Sequence, residues 1–95
     1  MRIEAMGKPP GCKLIRLAAD IENGIIKTLR IRGDFFASPE EGFDRVEERL
    51  SGTSPAELAA AFDALIEEEG IAVSGISGAG LEAVLLSARE TKGRS

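Results

Sequence analysis

The sequence lacks several of the residue types from which catalytic and metal sites are usually built. It contains no histidine, tryptophan or tyrosine, and Cys12 is its single cysteine in 95 residues. Without histidine a Ser-His-Asp triad cannot form, and a zinc site would have too few nitrogen and sulfur ligands. Walker, HExxH and EF-hand motifs are also missing. These absences predict that the chain is not an enzyme on its own and binds no metal or cofactor by itself.

Long apolar runs and pairs of cysteines are missing as well. No run approaches the roughly 18 apolar residues that cross a bilayer, and no apolar stretch typical of a signal peptide follows Met1. A single cysteine cannot form an internal disulfide, whereas small extracellular domains usually contain several. We therefore expect a cytoplasmic protein that has no membrane partner.

Length and charge predict one domain with a basic N-terminal part and an acidic C-terminal part. Hydrophobic residues make up 43% and charged residues 29% of the chain, a globular composition, and we expect a single domain over residues 1–90 with a flexible tail over 91–95. Residues 1–32 contain seven basic and three acidic side chains, whereas residues 33–95 contain five and thirteen. The acidic part argues against a nucleic-acid partner. The basic end is either ordinary solvated surface or a face that meets an anionic partner.

Two neighbouring segments have the period of two that is typical of half-buried strands. In residues 13–21 the alternate positions that share one face of a strand are all apolar from residue 15 on: Ile15, Leu17, Ala19 and Ile21. Residues 25–32 alternate too, and we assign Ile25, Leu29 and Ile31 to the apolar face. Residues 2–6 are a candidate third strand, because a two-stranded ribbon alone is only marginally stable.

The connection between these strands determines which side chains share a face. Asn23 and Gly24 are typical of a two-residue type I′ turn, but that register would place Leu17 opposite Arg30 and mix the two faces. We therefore predict a three-residue loop over residues 22–24. The polar face of the hairpin then carries three arginines: Arg16, Arg30 and Arg32.

Three helices are predicted after the strands. Capping boxes with proline at the first helical position begin at Ser38 and Ser54, and the apolar stripes that follow end before Gly52 and Gly70. Ser77 is a candidate cap for a third helix, after a short extended connector over residues 71–74. The order predicts an α+β, two-layer fold in which an antiparallel β-meander of two to three strands is covered on one face by two to three helices.

The segment Gly33-Asp34-Phe35-Phe36 is the most unusual part of the sequence, because it holds two of the four phenylalanines. Neighbouring side chains of an extended segment point to opposite sides, so one ring should enter the core while the other lies at the rim or outside. Two interpretations remain open: both rings are covered by helix packing, or the outer ring anchors a partner. For Asp34 we expect loop capping in preference to an ion pair.

Several of these motifs together resemble a known family. The segment Gly11-Cys12-Lys13-Leu14, the Asn23-Gly24 turn, the run from Ile31 to Phe36, Pro39-Glu40-Glu41 and Leu50-Ser51-Gly52 are similar to the accessory, C-terminal domain of lipoate-protein ligase. The resemblance covers residues 8–52 closely and the later helices only by pattern. Cys12 is a departure, because the family usually has a second glycine there.

The resemblance implies a function and an architecture. Lipoate-protein ligases join lipoate to ATP, giving lipoyl-AMP, and then transfer the lipoyl group to lysines of acceptor proteins. A free-standing accessory domain would assist a catalytic large subunit, which would bind ATP, magnesium and lipoate in the complex. The implied fold is that of the sulfur scaffolds of iron-sulfur assembly, a three-stranded sheet packed by helices.

On this basis we name seven candidate residues for binding the large subunit or assisting activation. They are Lys13, Arg16, Arg30, Arg32, Asp34, Phe35 and Phe36. Lys13 is also interpretable as an ordinary solvated charge at a strand edge. Two alternatives for the whole chain stay open: a sulfur-carrier scaffold that uses Cys12, which is otherwise an inert small hydrophobic residue, and a generic protein-interaction module.

Overall fold

A computed structural model describes the backbone of residues 1–94 and the side chains of residues 1–88. The sheet consists of β1 (Arg2–Gly7), β2 (Ile15–Glu22) and β3 (Ile25–Gly33), antiparallel and in the order β1-β2-β3. The third strand that was expected only as a candidate is therefore present. The remaining elements are β4 (Phe36–Ser38), α1 (Glu40–Arg49), a 3-10 turn (Pro55–Glu57), α2 (Leu58–Glu69), β5 (Ala72–Ser74) and α3 (Gly78–Arg94).

The predicted three-residue loop between β2 and β3 is wrong. Glu22 pairs with Ile25, so the loop has two residues, and both Asn23 (φ 54°) and Gly24 (φ 76°) are left-handed, as a type I′ turn requires. A bulge follows at once, because Ile21 pairs with Ile26 whereas Asp20 pairs with Thr28. The extra residue restores the match of the two apolar faces that a regular two-residue hairpin would have lost.

The bulge also changes which side chains are buried. Ile26 is fully buried and Ile25 only half-buried, the reverse of the expected assignment. Beyond the bulge Leu17 lies opposite Ile31 rather than opposite Leu29. This is a shift of two residues, which keeps every side chain of β3 beyond the bulge on its predicted face.

Two of the three predicted helix starts are confirmed. Glu57 closes back on Ser54, accepting hydrogen bonds from its Oγ (2.9 Å) and its backbone N–H (3.4 Å). Ser77 Oγ accepts the N–H of Gly80 at 3.0 Å and so caps α3. The capping box at Ser38 is not formed, because Ser38 is the last residue of β4 and Pro39 takes the cap position of α1.

A short second sheet joins distant parts of the chain. Strand β4 pairs antiparallel with β5, Phe36 opposite Ser74 and Ser38 opposite Ala72. The expected extended connector is thus β5, and β4 was not predicted. The boundary at residue 90 between the domain and the flexible tail stays a prediction. The backbone of α3 continues to Arg94, and Ser95 lies outside the described residues.

The helices cover one face of the three-stranded sheet, and the core lies between the two layers. Its most deeply buried side chains are Ile3, Ile15, Ile26, Ile31, Val46, Leu50, Leu58, Phe62, Leu81 and Leu85. The start of α3 lies so close to α2 that a Cβ on Gly78 would be 2.2 Å from the carbonyl oxygen of Ala59. The α+β, two-layer prediction is confirmed. Within the described part of the chain no helix is long and apolar enough to cross a membrane.

Candidate partner-binding surface

The uncovered side of the sheet carries two rows of side chains that cross all three strands. Met6 lies opposite Arg16, which lies opposite Arg32, and in the next row Glu4 lies opposite Ala18, which lies opposite Arg30. We call this surface the arginine face, and define it by these side chains: Glu4, Met6, Arg16, Ala18, Arg30 and Arg32. The structure brings together the three arginines that the sequence placed on one side of the hairpin.

The arginine face is an open depression of about 460 Å³ with an apolar floor and charged walls. Its floor includes Ala18, and Met6 stands at its side with 65% of its surface exposed. Neither residue was predicted to belong to a site. The signal for Met6 was present, because it alternates with Ile3 and Ala5 and must point away from the core if residues 2–6 form a strand.

Positive charge on the arginine face is only partly balanced. Arg32 is held by Glu47 of α1 at 3.0 Å, and Glu4 pairs with Arg2 at 3.1 Å. Arg16 and Arg30 have no ion pair with any side chain in the described part of the protein. Directly opposed like charges such as Arg16 and Arg32 destabilise a sheet. The face therefore concentrates cations at some expense of stability, and it favours an anionic partner.

Phe35 and Phe36 separate as the extended segment predicts. Phe35 is half-buried, with its ring centroid 5.4 Å from that of Phe43, whereas Phe36 on β4 is 60% exposed. The interpretation in which helix packing covers both rings is therefore wrong. An exposed phenylalanine on a short ribbon is a suitable anchor for a partner's apolar pocket.

Lys13 and Asp34 lie close to the same end of the sheet as Phe36. The N–H of Lys13 donates to the carbonyl oxygen of Gly75 at 2.8 Å, and Gly75 follows Ser74, the partner of Phe36. The backbone N–H of Asp34 donates to Leu14 at 2.9 Å, but its exposed carboxylate makes no hydrogen bond or ion pair with the described residues. Neither the expected cap nor the less favoured ion pair is formed there.

Cys12 lies against the first turn of α3. Its Sγ is 3.7 Å from Ser77 Oγ, and a Cβ on Gly80 would come within 2.7 Å of the sulfur. Cys12 is half-buried and packs against the core. This placement gives the thiol a packing role. Among the described residues no cluster of three or more cysteine and carboxylate side chains is arranged to hold a metal ion.

Acidic side chains gather on the opposite layer, between α1 and α2. Glu69 pairs with Arg45 at 3.0 Å and with Arg49 at 3.3 Å, and Arg49 also contacts Glu68 at 3.0 Å. The hydrogen bonds from Arg45 and then Arg49 hold the pKa of Glu69 below its ordinary value, although partial burial opposes them. These ion pairs join the two helices and lie away from the arginine face.

Comparison with known proteins gives a relative in sequence and a similar solved structure. No protein-family model matches the chain. "Lipoate-protein ligase A subunit 2" from Thermoplasma acidophilum is 44% identical over 41 residues, which are 43% of this chain and 44% of that relative, so the alignment covers less than half of either. Among solved structures, this chain superposes on one chain with a TM-score of 0.71 at 26% identity. That chain comes from a structural study of a bi-partite lipoate protein ligase and its E2 lipoyl domain, also from Thermoplasma acidophilum. The match covers 90% of this chain and 97% of that chain.

The chain is similar to the accessory small subunit of lipoate-protein ligase. The resemblance first drawn from residues 8–52 is confirmed, and in structure the similarity extends over nearly the whole chain. It includes the helices that the sequence related to the family only by pattern. The matched chain is about as long as this one, since the superposition covers almost all of both chains.

Proposed function

We propose that this chain is the non-catalytic accessory subunit of a two-component lipoate-protein ligase. It docks on the catalytic large subunit and is needed for the ATP-dependent activation of lipoate to lipoyl-AMP, before transfer to acceptor lysines. The observation that carries the proposal is the structural match, which spans 97% of a chain from a bi-partite ligase system. ATP, magnesium and lipoate are bound by the large subunit, and acceptor proteins are indirect partners.

The arginine face is the docking surface in this proposal. Among the described residues the guanidinium groups of Arg16 and Arg30 have no ion-pair partner, which favours carboxylates on the large subunit, and bidentate pairs fix orientation as well as charge. Met6 and Ala18 supply apolar area between them. Phe36, with Lys13 and Asp34 at the adjoining end, extends the contact and provides an aromatic anchor.

The proposed contribution to catalysis is positional. Activation requires the lipoate carboxylate and the α-phosphate of ATP to be held in line, and water to be excluded from the mixed anhydride that forms. A rigid subunit that packs on the nucleotide-binding loops restricts their motion and closes the site. This chain supplies shape and positive potential to that closure, while the reacting groups belong to the large subunit.

Charge reversal on the arginine face tests the docking surface. We expect Arg16→Glu to weaken binding to the large subunit at least about tenfold, because an attractive contact becomes repulsive. Lys27→Glu is the matched control, since it makes the same change in net charge at an exposed residue in the bulge, away from the arginine face. The dissociation constants are measured by calorimetry with the purified catalytic subunit of the same organism, at two salt concentrations.

Three results are distinguishable in that experiment. A selective loss for Arg16→Glu, with salt-sensitive binding of the unmodified chain, supports the proposal. Equal constants for both variants would remove the arginine face from the interface while leaving the complex intact. Failure of the unmodified chain to bind would contradict the accessory function, and would bring back the sulfur carrier at Cys12 or a generic interaction module.

A further inference from the structure

One edge of strand β1 makes no backbone hydrogen bond with any other part of the described chain. Met1 and Ile21 exchange two backbone hydrogen bonds of 2.8 Å, and the register of β1 and β2 continues from that pair. Antiparallel pairs alternate, so Ile3, Ala5 and Gly7 bond to β2 while the N–H and C=O groups of Glu4 and Met6 point away from the sheet. Among the described residues these outward groups have no hydrogen-bond partner.

The other edge of the sheet is bonded over most of its length, although among the described residues the outward groups of Leu29 on that edge have no hydrogen-bond partner. On β3 the outward N–H of Ile31 donates to Glu47 Oε2 at 2.6 Å. Ile26 exchanges hydrogen bonds of 2.8 Å with Gly52 and Thr53, and Ser51 Oγ donates to the carbonyl oxygen of Lys27 at 2.6 Å. Proteins usually cover or shorten exposed edges because a free edge pairs with other strands. The difference between the two edges marks β1 as a place where pairing is left available.

A groove runs beside the end of the open edge. It lies between Met6 and Gly7 of β1, the turn that begins at Lys8, and the side of α3 that bears Ala83 and Ser87. Its volume of about 210 Å³ is below the roughly 300–1,000 Å³ of small-molecule pockets. The exposed side chains of α3 that line the groove, Ala83 and Ser87, are small and uncharged, which leaves room for another backbone to approach.

We propose that the open edge of β1 binds an extended segment of the catalytic large subunit as a fourth strand. The inference rests on the accessory function proposed above and names the backbone contact within that complex. Two outward N–H and two outward C=O groups at strand spacing require an extended backbone as their partner. Beside Ala83 and Ser87 the segment presents small apolar side chains, and an acidic residue of the segment pairs with Lys8 at the end of the groove.

A second copy of this chain is a poorer occupant of the edge. If two β1 strands paired antiparallel about a two-fold axis centred on Glu4, using the outward residues 2, 4 and 6, the two Glu4 carboxylates would lie opposite each other. Like charges that oppose each other across strands are destabilising. In this register, which pairs all three outward residues on both strands, a different chain fits the edge better than a copy does.

Amide hydrogen exchange measured residue by residue by NMR tests the inference. In the free chain we expect fast exchange at Glu4 and Met6 and slow exchange at Ile3 and Ala5. Addition of the purified catalytic subunit should slow exchange at Glu4 and Met6 at least about tenfold, because their N–H groups become hydrogen-bonded. A complex in which both amides still exchange fast would overturn strand addition and leave the accessory function standing.

The remaining outcomes are equally decisive. Protection of Glu4 and Met6 in the free chain that rises with its concentration would show self-pairing and overturn the assignment of the occupant. Absence of any complex would overturn both the inference and the accessory function. The results therefore distinguish strand addition by the large subunit, self-pairing and the lack of any complex.

A pair of variants separates the edge from the arginine face. Glu4→Pro removes an outward N–H without breaking the bonds between β1 and β2, and proline is tolerated on edge strands. Glu4→Ala loses the same side chain but keeps the N–H. We expect Glu4→Pro to bind the catalytic subunit at least about tenfold more weakly than Glu4→Ala, with circular dichroism confirming that both are folded. Equal affinities of two folded variants would contradict strand addition, and if Glu4→Pro does not fold, the exchange measurement decides.

Discussion

The carboxylate of Glu47 serves two partners at the β3 edge of the sheet. It is the one charged side chain among the buried residues described, with 8% of its surface exposed. Oε2 accepts the backbone N–H of Ile31 at 2.6 Å and also contacts the guanidinium of Arg32 at 3.0 Å. Glu47 thereby joins α1 to β3 and holds one of the three arginines of the arginine face in place.

Removal of the Glu47 carboxylate should destabilise the fold. We expect Glu47→Ala to lower the free energy of unfolding by about 1–3 kcal/mol, because the N–H of Ile31 loses its acceptor in a poorly solvated position. Urea denaturation measures the change, and Glu48→Ala, at the exposed neighbouring position of the same helix, is the control. Similar values for the two variants would show that water replaces the carboxylate at no cost.

Single residues show where sequence reasoning succeeds and where it stops. Arg16, Arg30 and Arg32 were predicted to share a face because strand periodicity depends only on odd or even spacing, and the two-residue shift beyond the bulge preserves it. The role of Glu47 was not predictable. It depends on which helix packs against the edge of β3, a tertiary contact for which the sequence carries no local signal.

At the scale of elements, the contact between α1 and α2 combines apolar packing of Phe43 on Phe62 with ion pairs of Glu69 to Arg45 and Arg49. Because these pairs lower the pKa of Glu69 in the folded state, their contribution to stability is fully present above the unfolded pKa. It is lost as the pH falls through the lower, folded pKa. The pairs are solvent-accessible, so salt should weaken them.

Thermal unfolding across a pH series tests this contact. We expect Glu69→Gln to melt below the unmodified chain at pH 7, and the difference to shrink as the pH falls below the ordinary Glu69 pKa of 4.5. Glu67→Gln is the control, because Glu67 lies on the same helix without an ion pair among the described side chains. A difference that stays constant down to pH 3 would contradict the electrostatic explanation.

The elements themselves were largely predictable, and the exceptions have physical causes. The sequence indicated two to three strands and two to three helices, since periodicity and caps are local signals. The turn between β2 and β3 was assigned wrongly because a bulge at the next residues compensates for the register, which a count of loop residues does not reveal. Ser38 fails to cap α1 because β4 pairs with β5, more than 30 residues away in the chain.

At the scale of the whole molecule, the two layers differ in what they leave exposed. In the helical layer ion pairs join α1 to α2, whereas the three-stranded sheet exposes the arginine face and the open edge of β1, and β4 exposes the ring of Phe36. Composition predicted a basic end, and pairing of the strands concentrated part of it on one surface. The openness of β1 was not predictable, because it depends on strand order and on what covers each edge.

Formation of lipoyl-AMP from lipoate and ATP by the catalytic large subunit tests the accessory function most directly. The reaction is followed as pyrophosphate release, with and without this chain, and with Arg16→Glu and Lys27→Glu in its place. We expect pyrophosphate release to depend strongly on the chain, and at limiting concentration Lys27→Glu should support the reaction whereas Arg16→Glu should not. Full activity of the large subunit alone, with no complex between the two proteins, would contradict the accessory function.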